Sequence, residues 1–225
     1  MSAPPTKLKI IITGATGMVG EGVLLECLAN PAVEQVLVVG RKLYSREDPK
    51  LRQTIVPDFM DLAAVESRLA GYDACFYCAG VSSAGMSESD YTRVTYDVTL
   101  HFAATLARLN PQMVFVYVSG AYTDSSEKGR VMWARVKGRT ENALTRVGFR
   151  GAYNFRPGFM KPTAGQQNIP WLYTTMGWLY PVLRALLPNQ VSTLRDVALA
   201  MIQTVLQGYP KQILEIKDIN ALACG

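Results

Sequence analysis

"IIITGATGMVGEG", residues 10–22, joins a run of apolar residues to the first predicted helix of the chain. Three glycines, Gly14, Gly17 and Gly20, recur at three-residue spacing where the apolar run ends. Such a triplet indicates a phosphate-binding turn when a strand precedes it and a helix follows it, as the surrounding pattern predicts here. Gly14 then permits the tight turn, Gly17 lets the backbone approach a pyrophosphate, and Gly20 lets the helix pack closely on the sheet.

The start of this first helix is the predicted pyrophosphate site. The N–H groups of a first helical turn have no partners within the helix, and the helix dipole favours an anion there. Thr13 and Thr16 add hydroxyl groups beside the turn, and Met18 and Val19 complete the predicted contacts to the cofactor. The alternative is a glycine-rich turn that holds no ligand. The strand and helix around it favour a dinucleotide.

Short apolar runs alternate with longer helical segments along the chain. The predicted strands cover residues 7–13, 35–40, 53–57, 73–80, 113–120, 150–158 and 211–216, and the predicted helices cover residues 17–30, 61–71, 87–110, 130–143 and 193–208. Short strands rich in Val and Ile that alternate with helices are typical of parallel β-structure buried on both faces. The sequence therefore predicts an α/β protein with a doubly wound parallel sheet, a Rossmann fold, flanked by helices.

We expect a single domain over residues 1–225, because the length suits one domain and no low-complexity linker divides the chain. Its predicted core covers residues 7–158. Residues 159–210 form a variable, largely helical segment that faces the substrate, and residues 211–216 form the last strand.

Composition and charge exclude several classes of protein. The net charge is +5, but the basic residues are scattered without a long polybasic run, so nucleic acid is not an expected partner. Cys75 and Cys78 form a C-x-x-C within a predicted strand, which we interpret as buried thiols rather than a redox pair. No cluster of Asp, Glu and His indicates a metal site. The only histidine, His101, is interpreted as structural.

The sequence gives no sign of a membrane segment. The N-terminal residues 1–14 lack the long apolar core of a signal peptide. The apolar stretch 169–188 is interrupted by Pro181 and Arg184, so buried helices or a contact within a homodimer explain it better than a membrane-spanning helix. We expect a cytoplasmic protein.

The end of the second predicted strand bears on the choice of coenzyme. A protein selective for NAD usually has an Asp or Glu there, which binds the ribose 2′-hydroxyl. This chain has Arg41 and Lys42 at that point, and the first acidic residue after the strand is Glu47. An arginine can bind a 2′-phosphate through a charge-assisted fork. NADP is therefore favoured over NAD, and the alternative is that Arg41 is an ordinary surface charge.

With these features the sequence resembles the short-chain dehydrogenase/reductase superfamily, in particular its atypical and extended branch with epimerase-like and Tat-interacting-protein-like members. The resemblance covers roughly residues 7 to 160. It rests on "TGATGMVG" (13–20), "PDF" (57–59), "CAG" (78–80), "VYVSG" (116–120), "VKG" (136–138) and "RPG" (156–158).

The resemblance implies roles for further residues. The cofactor-binding residues that it adds are Asp58 and Phe59 beside the adenine, Cys78, Ala79 and Gly80 beside the ribose, Lys137 on the nicotinamide ribose, and Pro157 and Gly158 near the nicotinamide amide. Ser119 ends the fifth strand, where it would polarise a reacting carbonyl.

The chain departs from the family pattern at the general acid. Family members that carry out redox chemistry have Tyr-x-x-x-Lys where this chain reads "WARVK" (133–137). Trp133 takes the tyrosine's place, and an indole N–H donates but does not titrate. Trp133 either stacks on the nicotinamide, fills the substrate pocket or packs in the core. Tyr122, three residues after Ser119, is the candidate replacement proton donor, and a loop aromatic is its alternative role.

Two functions follow from these observations. The first is an NADP(H)-binding oxidoreductase for a small carbonyl or hydroxyl compound, with Ser119, Lys137 and Tyr122 as catalytic residues. The second is a non-catalytic NADPH-binding sensor that has lost the family's tyrosine and has no small-molecule substrate.

Overall fold

A seven-stranded parallel sheet forms the centre of the computed structural model, which describes residues 7–171, 173, 180–187 and 190–224. In chain order the strands are β1 Leu8–Thr13, β2 Val33–Gly40, β3 Leu51–Ile55, β4 Ala74–Tyr77, β5 Val114–Val118, β6 Gly151–Arg156, β7 Phe159–Lys161, β8 Val191–Thr193 and β9 Ile213–Glu215. Their order across the sheet is β3-β2-β1-β4-β5-β6-β9, and β7 and β8 form a separate parallel pair.

Strand β1 lies inside the sheet because its residues are apolar on both faces. Ile10, Ile11 and Ile12 are fully buried, and Ile10 pairs with Val36 of β2 on one side and with Ala74 of β4 on the other. Continuous apolar strands of this kind are typical of parallel sheets covered by helices on both faces. The predicted doubly wound Rossmann fold is confirmed.

Helices cover both faces of the sheet. They are α1 Met18–Ala29, α2 Glu66–Leu69, α3 Glu88–Thr92, α4 Val98–Leu109, α5 Met132–Leu144, α6 Tyr180–Leu186, α7 Leu194–Gln207 and α8 Ile216–Ala223, with a π-helical stretch, Arg93–Asp97, between α3 and α4. On one face, α1, α7 and α8 contribute to an apolar cluster that also includes Leu8, Ile10 and Ile12 of β1. On the other, Phe102 and Leu106 of α4 join a second apolar layer.

Two helices begin at a residue whose side chain caps the first helical turn. The Ser87 hydroxyl accepts a hydrogen bond from the backbone N–H of Asp90, and Thr193 forms a capping box with Asp196. Ser and Thr are preferred at such positions because their hydroxyls satisfy the unpaired N–H groups of a first turn.

Other elements differ from the predictions. The helix predicted over 61–71 shortens to a turn of 3-10 helix followed by Glu66–Leu69, and only Leu62 and Leu69 of this segment are buried. The strand predicted over 211–216 ends at Glu215, where a capping box with Asp218 begins α8. Residues 1–6 and parts of the apolar stretch 169–188, with the proposed homodimer contact, lie outside the described residues.

The strand order fixes where a ligand can enter. The chain runs outward from β1 to β3 and then returns to place β4 on the other side of β1. Ligands of open α/β sheets bind outside the carboxyl ends of the strands at such a reversal. The carboxyl ends of β1 and β4 therefore define the site. In the part of the chain described, no helix is both long and apolar enough to cross a bilayer.

Candidate functional site

A crevice of about 730 Å³ opens at the carboxyl ends of β1, β2 and β4. This volume falls within the range of roughly 300–1,000 Å³ that is usual for small-molecule sites. Ten of the residues predicted from the sequence line it, namely Gly14, Thr16, Gly17, Arg41, Lys42, Asp58, Phe59, Cys78, Ala79 and Gly80. The remaining predicted residues adjoin it or lie farther along the same edge of the sheet.

The glycine turn has a shape that larger residues would disrupt. Gly14 has a φ of +72°, and a Cβ on Gly14 would come within 2.7 Å of the Ala79 backbone nitrogen. A Cβ on Gly20 would lie 2.2 Å from the Gly14 carbonyl oxygen, so the helix can approach the turn only with glycine there. The same atom on Gly17 would meet only that carbonyl oxygen, at 3.4 Å, which leaves this position open toward the crevice.

Helix α1 presents its unpaired first turn to this space. Gly17 is the cap residue and supplies no side-chain hydrogen bond, so the N–H groups of Met18 and Val19 have no partner in a cap. Thr16 is exposed on the rim. Thr13 is fully buried and accepts a hydrogen bond from the Ala79 N–H at 3.2 Å, which joins the ends of β1 and β4. These residues fit an anionic diphosphate.

Basic residues stand at one end of the crevice. Arg41 and Lys42 follow β2 and are exposed. Asp58 and Phe59 line the same crevice. The Asp58 carboxylate accepts a hydrogen bond from the Met60 N–H at 2.8 Å. The centroid of the Phe59 ring lies 5.3 Å from that of the buried Phe102 ring. The positive charge at this end suits a phosphorylated ligand.

The crevice also has apolar lining residues that were not predicted from the sequence, among them Val94 and Val98. Val94 belongs to the π-helical stretch and Val98 begins α4, and both line the crevice together with the segment that follows β4. In that segment, burial raises the pKa of the Cys78 thiol to about 12, so it is not a nucleophile at neutral pH. A π-helical stretch inside an α-helix often marks a functional position.

Ser119 lies just past the end of β5 and is buried. Its Oγ lies 3.0 Å from the Oγ1 of Thr123, and the Thr123 hydroxyl donates to the Gly120 carbonyl oxygen at 2.8 Å. A hydroxyl has one proton, so Ser119 donates to Thr123 and keeps its own lone pairs free. The sequence analysis missed Thr123, although a hydroxyl residue four positions after Ser119 was visible in the loop.

Lys137 and Trp133 of α5 point to the same end of β5. Lys137 Nζ donates to the Val118 carbonyl oxygen at 3.3 Å and lies 5.2 Å from the centroid of the Tyr117 ring. Burial lowers the pKa of this lysine to about 8, and Glu141 acts in the opposite direction. The indole of Trp133 lies 3.7 Å from the position that a Cβ on Gly120 would occupy.

The other predicted residues are more dispersed. Tyr122 is 81% exposed and has a φ of 67°, which is strained for a tyrosine. Pro157 is buried just past β6, and Gly158 packs against the Gln190 backbone, where a Cβ would lie 2.4 Å from the carbonyl oxygen. The structure therefore places Pro157 and Gly158 at the next strand end, beside β7 and β8.

A buried ion pair fixes α5 to the sheet. The Arg156 guanidinium donates twice to the fully buried Glu141 carboxylate, once through Nε at 3.0 Å. It also donates to Glu215 of β9 and to the Ser125 hydroxyl. Glu141 follows Lys137 by one helical turn, so this pair fixes to the sheet the helix that carries the lysine. The sequence analysis missed the pair, although arginine in "RPG" was a signal.

The described residues contain no group of three or more His, Cys, Asp and Glu side chains that could hold a metal. All four cysteines are free thiols.

Comparison with known proteins extends these observations. A model of the "NAD dependent epimerase/dehydratase family" matches residues 10–132. The protein named "Protein fmp52, mitochondrial" from Emericella nidulans is 30% identical over 166 residues, covering 71% of this chain and 68% of the relative. The protein named HTATIP2 from Rattus norvegicus is 27% identical over 154 residues, 67% of this chain and 62% of that protein.

Solved structures show the same fold. The Bordetella bronchiseptica enzyme WbmF, crystallised with NAD⁺, superposes with a TM-score of 0.65 at 16% identity, over 99% of this chain and 78% of that one. The match to the family model includes the glycine turn, β4, β5 and the Ser119 loop. This chain belongs to the NAD-dependent epimerase/dehydratase family.

Proposed function

We propose that this protein binds NADP(H) in the crevice and acts as an oxidoreductase on a small carbonyl or hydroxyl compound. The observation that carries the proposal is one continuous crevice that joins the uncapped start of α1 to the exposed side chains of Arg41 and Lys42. The diphosphate would accept hydrogen bonds from the N–H groups of the first helical turn. The two basic side chains would bind the 2′-phosphate.

The preference for NADP over NAD rests on charge. No acidic residue follows β2 until Glu47, so the position that usually binds a ribose 2′-hydroxyl carries positive charge instead. A guanidinium binds a phosphate through two parallel hydrogen bonds. WbmF was crystallised with NAD⁺, and the coenzyme of this chain is therefore the first point to test.

The residues around the end of β5 would carry the chemistry. When bound, the nicotinamide gives or accepts a hydride. Lys137 would hold the nicotinamide ribose, and Ser119 would orient the substrate. Because Ser119 donates its proton to Thr123, its oxygen is available to accept a hydrogen bond from a substrate hydroxyl. To polarise a carbonyl, Ser119 must turn its proton away from Thr123.

Trp133 would occupy the position of the family's tyrosine, and its indole would form a wall of the substrate pocket. An indole cannot exchange a proton usefully, so Tyr122 or a water molecule would carry the proton. The strained φ of Tyr122 supports a role, because strained residues cluster at functional sites. The 81% exposure of its side chain means that it would have to turn inward to reach the substrate.

The non-catalytic sensor has no further observation in its favour, since family membership and the buried Ser119 beside Lys137 both suit an enzyme. The cytoplasmic location stays a prediction, and the name of the Emericella nidulans relative points to mitochondria instead.

Calorimetric titration with NADPH and NADH tests the proposal. We expect NADPH to bind more tightly, and Arg41→Ala to weaken NADPH more than NADH. Equal losses of affinity for both coenzymes in Arg41→Ala would contradict the NADP preference. A titration of the wild-type protein without binding heat for either coenzyme would contradict the proposed dinucleotide binding. Carbonyl-dependent oxidation of NADPH, reduced in Ser119→Ala and Tyr122→Phe, would establish the enzyme. Turnover that appears only in Trp133→Tyr would favour the sensor.

A further inference from the structure

Glu21 is a fully buried carboxylate in the first turns of α1. It accepts hydrogen bonds from the Tyr44 hydroxyl at 3.0 Å, from the Gln167 N–H at 3.0 Å and from the Asn168 N–H at 2.7 Å. No ion pair among the described residues includes it. A carboxylate buried without a cation is costly unless hydrogen bonds satisfy it, so its three donors are what permit Glu21 at this position.

One of those donors belongs to the segment that carries the basic residues. Arg41, Lys42 and Leu43 are exposed, whereas Tyr44 is only 7% exposed. The Gln53 side chain of β3 holds the Tyr44 backbone from both sides, accepting from its N–H at 2.8 Å and donating to its carbonyl oxygen at 2.9 Å. Tyr44 is therefore the fixed end of an otherwise exposed segment.

The two anchors hold different parts of Tyr44. Gln53 fixes its backbone to the sheet, and Glu21 fixes its side chain to the helix whose N-terminus faces the diphosphate site. The hydrogen bond from Tyr44 to Glu21 thus connects the basic segment 41–43 to the same helix that would bind the diphosphate.

We propose that Tyr44 and Glu21 are positioning residues for coenzyme choice, which hold Arg41 and Lys42 at the distance from α1 that a 2′-phosphate requires. This inference rests on the proposed binding of NADP(H). It adds a reason for the buried carboxylate, whose other donors fasten residues 167–168 to the same helix. Loss of the Tyr44 hydroxyl should loosen the link between the basic segment and α1, while Gln53 still holds the Tyr44 backbone and the glycine turn stays intact.

The test is Tyr44→Phe, which removes one hydroxyl and leaves Glu21 its two backbone donors. We expect NADPH affinity to fall about threefold to tenfold, the usual worth of one hydrogen bond, with NADH affinity nearly unchanged. Tyr72→Phe is the matched control. Its hydroxyl accepts a hydrogen bond from Gln35 at 2.8 Å at the amino ends of the strands, away from the crevice. Calorimetry with NADPH, NADH and 2′,5′-ADP reports the affinities.

If Tyr44 had only a structural role, Tyr44→Phe would weaken the binding of NADPH and NADH equally, or it would lower only the melting temperature. Either outcome overturns the inference, as does an unchanged ratio of NADPH to NADH affinity in Tyr44→Phe. Equal affinity of the wild-type protein for NADPH and NADH overturns the coenzyme preference itself, and this failure is seen without any variant. If Glu21→Gln shifts the ratio in the same direction as Tyr44→Phe, both ends of the hydrogen bond are implicated.

Discussion

Lys137 illustrates at the scale of one residue how a binding site and a stable fold make opposite demands. Its ammonium lies over the Tyr117 ring and has one backbone acceptor, the Val118 carbonyl oxygen. Burial disfavours the charged form, which is why its pKa falls from 10.5 to about 8. The charged lysine is therefore a cost to folding, and in our proposal that cost is offset when the cofactor ribose binds.

Replacing this lysine should stabilise the free protein. Since the folded-state pKa lies below the unfolded value, the cost is fully present below pH 8 and fades as the pH rises from 8 toward 10.5. We expect Lys137→Met to raise the melting temperature at pH 7, by less at pH 10, and to weaken NADPH binding. Lys128→Met, at an exposed lysine, is the control that should change neither. A melting temperature that falls at pH 7 would contradict this account.

Short-range patterns explain what the sequence could predict about single residues. The spacing of Gly14, Gly17 and Gly20 and the hydroxyl caps at Ser87 and Thr193 involve neighbours within a few positions, so the sequence displays them directly. Glu21 is different, because its donors come from residues 23 and about 146 positions away. No local pattern shows that such residues meet, and the anchor became visible only in the fold.

At the scale of elements, the predicted strands and helices followed from apolar runs and their breaks, and most strands lie within one to three residues of prediction. The parallel pair of β7 and β8 was not predicted, because Phe159 pairs with Val191, which lies 32 positions later in the chain. The π-helical stretch Arg93–Asp97 was also not predicted, since its composition is that of the surrounding α-helix. Pairing and helix type both depend on contacts made elsewhere.

The attachment of α5 to β6 gives a prediction at this scale. Arg156→Met should destabilise the protein by about 3–5 kcal/mol, because it leaves the Glu141 carboxylate buried without its cation. Arg93→Met removes the exposed pair with Asp90 and should cost about 0–1 kcal/mol. Denaturant unfolding measures both. The double variant Arg156→Met, Glu141→Leu should recover much of the loss, and no recovery would mean that the pair does more than neutralise Glu141.

At the scale of the whole molecule, one sheet edge gathers everything that the proposal requires. The glycine turn lies after β1, the basic residues after β2, the crevice wall after β4 and Ser119 after β5. Parallel strands bring their carboxyl ends together at one edge, so residues as far apart in the chain as Gly14 and Ser119 lie along the same edge of the sheet. A ligand bound along this edge contacts several strands at once and should stabilise the domain as a unit.

Gly17→Asp separates the stability of the fold from binding. The position has an extended backbone with φ −102°, and a Cβ there would make only a van der Waals contact of 3.4 Å with the Gly14 carbonyl oxygen, so aspartate fits as a helix cap and should leave the melting temperature of the free protein equal or slightly higher. Its carboxylate would occupy the N–H groups of the first turn and repel a diphosphate. At NADPH a hundred times its Kd, the wild-type protein should gain about 2.7 kcal/mol, a rise in melting temperature of roughly 5–10 °C. Scanning fluorimetry should show this rise in the wild type and lose it in Gly17→Asp, and a variant that keeps the full rise would mean that the diphosphate does not bind at the start of α1.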